Sequence, residues 1–155
     1  MSPAPEDRLA ELGITLPEPP AAIAAYVPTV VHRGLVWVSG QIPSRDGGLP
    51  RVGLVGRDIS VEDATEEARY CAINALAQLR AAAGNLNEIE RIVKLTVFVA
   101  SSDGFHAQPL VANGASELFL DVFGENGRHA RSAVGVAQLP LGAPVEIELV
   151  AAMRG

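Results

Sequence analysis

From Ser60 to Gly84 the sequence holds one unbroken helical period, with Ala64, Ala68, Cys71, Ala72, Ala75, Leu76, Leu79 and Ala83 recurring on one face. A face so flat and rich in alanine packs closely, and strand signals on either side of the helix supply the sheet it needs. Ser60 with Asp63 forms a weak variant of the N-terminal capping box, and Gly84 provides the stop. Upstream, Val30 to His32 and Leu35 to Ser39 flank Arg33-Gly34, a hairpin whose glycine supplies the turn conformation. Downstream, Ile92 to Val99 is β-branched and reads as a central strand, with Val93, Leu95, Val97 and Val99 on one side of the pleat.

A second helix is expected from Pro109 through Leu110, Leu118, Phe119 and Val122 to Gly124, with Gly114 as an unfavourable interior residue. Strands follow at Ala130 to Val136 and Val145 to Ala152, separated by the turn-rich run Gln138 to Pro144. The order hairpin, helix, strand, helix, strand, strand is an α+β pattern with both helices on one face of the sheet. Residues 1–20 read as an N-terminal arm, a short helix from Pro3 to Gly13 and a stiff proline connector, and residues 21–155 as one domain. Ser44 to Gly56 reads as an irregular surface loop.

The chain has 155 residues, 48% of them apolar and only 19% charged, which excludes a disordered chain and favours an oligomer over a monomer. A formal charge of -6 with no basic stripe argues against a general nucleic-acid binder. The acidic, proline-rich start is unlike a secretory signal, and no apolar run is long enough to span a membrane, so a cytoplasmic protein is expected. Cys71 has no second cysteine to pair with and is expected as a small buried hydrophobe. His106 and His129 lack metal-site spacing, so no metal is expected.

The informative constellation is Arg131-Ser132-Ala133-Val134-Gly135-Val136, followed by Leu139-Pro140 and Val145-Glu146-Ile147-Glu148. On a strand Arg131, Ala133 and Gly135 share one side and Ser132, Val134 and Val136 the other, which predicts an arginine off the core face. Glu146 and Glu148 lie opposite the apolar row Val145-Ile147-Leu149, so aligned strands would put Arg131 and the glutamates on one face. An arginine fork beside small side chains suits a carboxylate, and Glu146 would then orient a water. The same residues would also serve as a cross-strand ion pair at a subunit contact.

These segments, with Ala24-Ala25-Tyr26-Val27, Val38-Ser39-Gly40-Gln41-Ile42-Pro43 and Lys94-Leu95-Thr96-Val97-Phe98-Val99, resemble the RidA (YjgF) family in order from about Ala21 to Ala152. The resemblance implies a chorismate-mutase-like fold, a ring-shaped homotrimer, ligand clefts at the subunit interfaces, and no metal or organic cofactor. It implies hydrolysis of enamines and imines related to 2-aminoacrylate, giving 2-oxo acids and ammonia. In that scheme Arg131 matches the carboxylate clamp and Glu146 the residue that positions the attacking water. Tyr26, Ser39 and Asn113 match cleft positions, Gly40 is expected as a close backbone approach to the ligand, and backbone groups around Ala133 as contacts to the water or imine. Archetypal members carry cysteine where this chain has Ala133, and a larger residue where it has Gly135, which marks a divergent subgroup. A non-catalytic binder of 2-oxo acids is the alternative; endoribonuclease activity, attached to the family's older naming, has little support from the acidic charge.

Overall fold

The computed structural model describes residues 3–22 and 24–155. In chain order the elements are α1 (Pro5–Glu11), β1 (Thr29–His32), β2 (Leu35–Gln41), α2 (Val61–Ala83), β3 (Ile89–Ala100), α3 (Gln108–Phe123), β4 (Ala130–Val136) and β5 (Val145–Met153). The five strands form one mixed sheet in the order β1-β2-β5-β3-β4. All neighbours are antiparallel except β3 and β4, whose parallel pairing follows from the α3 crossover between them. Helix α2 lies over β2 and β5, and α3 over β3 and β4.

Local chemistry places the ends of these elements as expected. Arg33 and Gly34 both have positive φ, 49° and 75°, the mirror-image turn that suits the twist of a two-residue hairpin. Ser60 Oγ accepts the Asp63 amide at 3.1 Å, and Gly84 closes α2 in the left-handed region. The alanine face of α2 is buried from Ala64 to Leu79, with Cys71 fully enclosed. Within the expected N-terminal arm, α1 rests on the domain: Leu9 joins the common core, Glu6 pairs with Arg80, and its carboxylate accepts the Leu86 amide.

Gly114 has a clear reason for its place in α3. A β-carbon there would overlap the Thr65 carbonyl of α2, so the glycine sets the distance between the two helices. Gly114→Ala gains helix propensity yet forces backbone apart. We expect a net loss of about 1–2 kcal/mol, read as a lower midpoint in urea with an unchanged slope.

Two bulges correct the expected strand faces. Between Ile92 and Lys94 the register against β5 shifts by one residue, so Ile92 is buried and Val93 turns outward instead of sharing the side of Leu95. Between Val38 and Gln41 three steps on β2 oppose two on β5, which pushes Ser39 and Gly40 out of the regular ladder. Trp37, on the face without helices, is 52% exposed.

The loop from Ser44 to Gly56 is irregular, as expected, but firmly fastened. Glu67 is fully buried on α2 and bonds Arg45 through both oxygens, at 2.8 and 3.1 Å, as well as Arg51. The Arg45 guanidinium also stacks 3.6 Å from the Tyr70 ring centre. Further along α2, buried Asn74 donates to the carbonyls of Ile42 and Ser44, and buried Gln78 donates to that of Pro20.

Candidate functional site

The sequence-predicted residues fall into two groups on opposite sides of the sheet. Strand β4 pairs with β3 and not with β5, and the parallel register sets Arg131 beside Leu95, Ala133 beside Val97 and Gly135 beside Val99. The antiparallel register then sets Leu95 beside Leu149 and Val97 beside Ile147. Neighbours in register share a face, so Arg131, Ala133 and Gly135 lie on the helix side, while Glu146 and Glu148 lie on the open side with Phe98 and Thr96. The expectation that Arg131 stands off the core face beside the glutamates is therefore corrected. Two premises failed: Val134 lies on the open face, 42% exposed, and not on the core side, and β3 separates β4 from β5 by two strand spacings, about 10 Å.

Arg131 escapes full burial because β4 is the edge strand and α3 passes beside the guanidinium. Nη1 donates to Asn113 Oδ1 at 2.8 Å and to Ser116 Oγ at 3.2 Å, and Nη2 makes a longer contact of 3.4 Å with the Pro109 carbonyl. Asn113 and Ser116 are one turn apart on α3 and so present both oxygens to one guanidinium. Of the five N–H donors, Nε and one on Nη2 make no hydrogen bond among the described residues, the number a carboxylate takes in a two-bond clasp. A cleft of about 230 Å³, lined in part by Ser116, Arg128, His129 and Arg131, opens alongside. Ala133 sits two residues farther along the same face, partly buried against the core.

The second group gathers around the β2 bulge. Tyr26, Ser39, Gly40 and Glu146 line a cleft of about 400 Å³ together with Pro28, Ile42 and Pro140. Ser39 uses both its amide and its hydroxyl on the Pro28 carbonyl, each at 3.0 Å, which fixes the strap carrying Tyr26 over the sheet. Gly40 meets a strict steric demand: a β-carbon there would overlap the Glu146 carboxylate. Among the described residues no hydrogen bond or ion pair reaches that carboxylate. Burial, and secondarily the Glu148 charge, raise the Glu146 pKa above the ordinary 4.5. A half-buried, unpaired and more basic carboxylate is suited to hold and deprotonate a water.

Within the chain the structure thus joins Tyr26, Ser39, Gly40 and Glu146, separately joins Asn113, Arg131 and the nearby Ala133, and brings no Arg131–Glu146 ion pair. Ser116 was missed as a partner of Arg131. Its three-residue spacing from Asn113 was the available signal. His129, in the loop before β4, reaches Ser116 at 3.0 Å.

Comparison with known proteins agrees with this architecture. The family described as "YjgF/chorismate mutase-like, putative endoribonuclease" matches residues 6–153. Protein TCP17 of Trypanosoma cruzi is 49% identical over 141 residues, covering 90% of this chain and 88% of that one. The 2-iminobutanoate/2-iminopropanoate deaminase of Salmonella typhimurium is 36% identical over 137 residues, covering 87% and 92%. A crystal structure of a protein of unknown function from Agrobacterium tumefaciens superposes with a TM-score of 0.90 at 49% identity, covering 97% of this chain and 92% of that one. Among the described residues no helix is long and apolar enough to cross a membrane. With its mixed five-stranded sheet, its two covering helices and a family match that runs from Glu6 to Met153, this chain belongs to the YjgF/RidA family and has its chorismate-mutase-like α+β fold.

Proposed function

We propose that this chain hydrolyses small imines and enamines that bear a carboxylate, of the 2-aminoacrylate type, to 2-oxo acids and ammonia, at clefts completed between protomers of a homotrimer. One observation carries the reading. A guanidinium with two free donors and an unpaired carboxylate stand at opposite faces of one sheet, so each is half of a site that a neighbouring copy can complete. A ring of three copies, each offering its β4 edge to the Glu146 cleft of the next, closes with three equivalent sites. The exposed Val30, Trp37 and Val134 on the open face give such a ring its apolar contact. The named deaminase among the relatives supports the substrate class.

In this scheme Arg131 grips the substrate carboxylate and fixes the imine carbon. Protonation of 2-aminoacrylate at its terminal carbon gives the iminium of pyruvate. Water held by Glu146 adds to the C=N carbon and gives a proton to the carboxylate; the resulting carbinolamine takes that proton on nitrogen and expels ammonia while its hydroxyl proton leaves to solvent, replacing the one taken up by the enamine, and pyruvate remains. Enamine and water are consumed in equal number with 2-oxo acid and ammonia formed, so no cofactor or oxidant is required. Orientation and one polarised water carry the rate.

A dehydratase that releases 2-aminoacrylate from serine, coupled to the purified protein, tests the proposal through faster appearance of pyruvate. Equal rates with protein and with buffer would overturn it. Glu146→Gln is expected to lower turnover about 100-fold, a general-base effect, with pyruvate affinity nearly kept. The acid limb of the wild-type pH profile should lie above pH 4.5 and vanish in that variant. Stability should move the other way. The folded state holds the Glu146 proton more tightly than the unfolded chain, so this group favours folding at low pH and loses that contribution as pH rises through its raised pKa. At neutral pH Glu146→Gln should therefore melt no lower than wild type.

A further inference from the structure

A run of hydrogen bonds leads to Arg131 from residues that have no part in the proposed reaction. His129 Nδ1 lies 2.6 Å from the Gly127 carbonyl oxygen, and its Nε2 lies 3.0 Å from Ser116 Oγ, which in turn accepts from Arg131 Nη1 at 3.2 Å. A carbonyl only accepts, so Nδ1 carries a proton, and a neutral imidazole then offers Nε2 as an acceptor. The Ser116 hydrogen goes to Nε2, which leaves a lone pair of its oxygen for the guanidinium. Direction is thereby set along the whole run: Arg131 donates to Ser116, Ser116 to His129, and His129 to Gly127.

The surroundings maintain that state. Burial is the largest influence on His129 and lowers its pKa from 6.5; the Gly127 bond opposes this, and the Arg131 charge adds to the lowering. Phe119 meets the ring edge to face, with centres 6.0 Å apart at 88°, which fixes the imidazole plane. Without the imidazole the Ser116 hydroxyl is a free rotor, and Arg131 keeps only Asn113 and the long Pro109 contact.

We infer that Ser116 and His129 are positioning residues that lock Nη1 of Arg131 inward, so that its remaining donors meet a carboxylate already oriented. The inference rests on the proposed role of Arg131 as the carboxylate clamp. In variants of these two residues Arg131 keeps its fork and its bond to Asn113, so a substrate once bound is still held by both donors; ordering the guanidinium then costs binding and spares the chemical step.

The test uses the full chain and pyruvate as the probe, with coupled turnover as the second readout, on Ser116→Ala, His129→Phe and the double variant. His129→Phe keeps a ring against Phe119 and removes both nitrogens. Each single variant is expected to weaken pyruvate binding about 3- to 10-fold, the range of one neutral hydrogen bond, with saturated turnover within twofold of wild type. The double variant should bind no worse than the weaker single, since both changes act through one guanidinium. Nitrogen NMR of wild type should report the Nδ1-protonated tautomer at neutral pH. Unchanged pyruvate affinity in both single variants, additive losses in the double, or an Nε2-protonated ring would overturn the inference while leaving wild-type activity intact. Should His129→Phe unfold, Ser116→Ala and the tautomer decide alone. A wild type that neither binds pyruvate nor accelerates its release would overturn the clamp reading itself, and this inference with it.

Discussion

Replacing Arg131 with alanine is expected to lower kcat/KM for imine hydrolysis by about two to four orders of magnitude while leaving the protein folded and assembled. A carboxylate clasp consists of two charge-assisted bonds worth about 1.5–3 kcal/mol each, and about 1.4 kcal/mol is a factor of ten. Losing the fork also frees the substrate to sample orientations in which water misses the imine carbon, so turnover falls along with affinity. The structural cost is small by comparison. Arg131 sits half-buried at the edge of the sheet, and its partners Asn113 and Ser116 stay near solvent when it is removed. Arg131→Lys should recover little, because a single ammonium keeps the charge and loses the planar fork. Coupled pyruvate release and light scattering check the two halves of this expectation. Collapse of the oligomer in Arg131→Ala would show instead that the side chain holds subunits together.

The sequence carried the local features of this fold well and its long-range ones poorly, for physical reasons. Arg33-Gly34, the Ser60 cap and the Gly84 stop are decided within four residues of chain, and each stands where the pattern put it. Strand order is decided by which surfaces bury best, and nothing in the alternation of β4 and β5 reveals that β3 comes between them. The face assigned to Arg131 rested on taking Val134 and Val136 as the core side, and Val134 lies on the open face, so a correct strand yielded an incorrect side. Bulges have the same character. Val93 belongs to an alternating apolar row and still faces out, because one extra residue inverts everything before it. Tyr26, Ser39, Gly40 and Glu146 were legible as a set through family resemblance alone. What joins them is the displaced Ser39-Gly40 step, which has no period to read. On α2, polar Glu67, Asn74 and Gln78 are not singled out by the apolar period, yet all three are buried and bind the chain that wraps past them.

Glu67 carries the largest expected stability effect in the molecule. Its side chain has no exposed area, and two guanidinium groups satisfy it: Arg45 at 20% exposure and Arg51 at 31%. Removing one partner of a buried ion pair costs about 3–5 kcal/mol because the other charge is left desolvated. Here the stranded arginines can swing partly into water, which reduces the loss for Glu67→Ala to about 2–4 kcal/mol, with a melting temperature lower by about 5–15 °C for a chain of this length. Glu67→Gln keeps the shape and one acceptor and should lose roughly half as much. The consequence reaches the candidate site, since Arg45 also bonds the Pro43 carbonyl and the strap from Ser39 through Ile42 to Ser44, distinct from the one carrying Tyr26, lines the Glu146 cleft. Loosening it should blur the Glu146 cleft before the core melts, so turnover of Glu67→Ala should decline at temperatures where its circular dichroism is still native. Activity and melting curves that fall together would show that the strap and the core unfold as one unit.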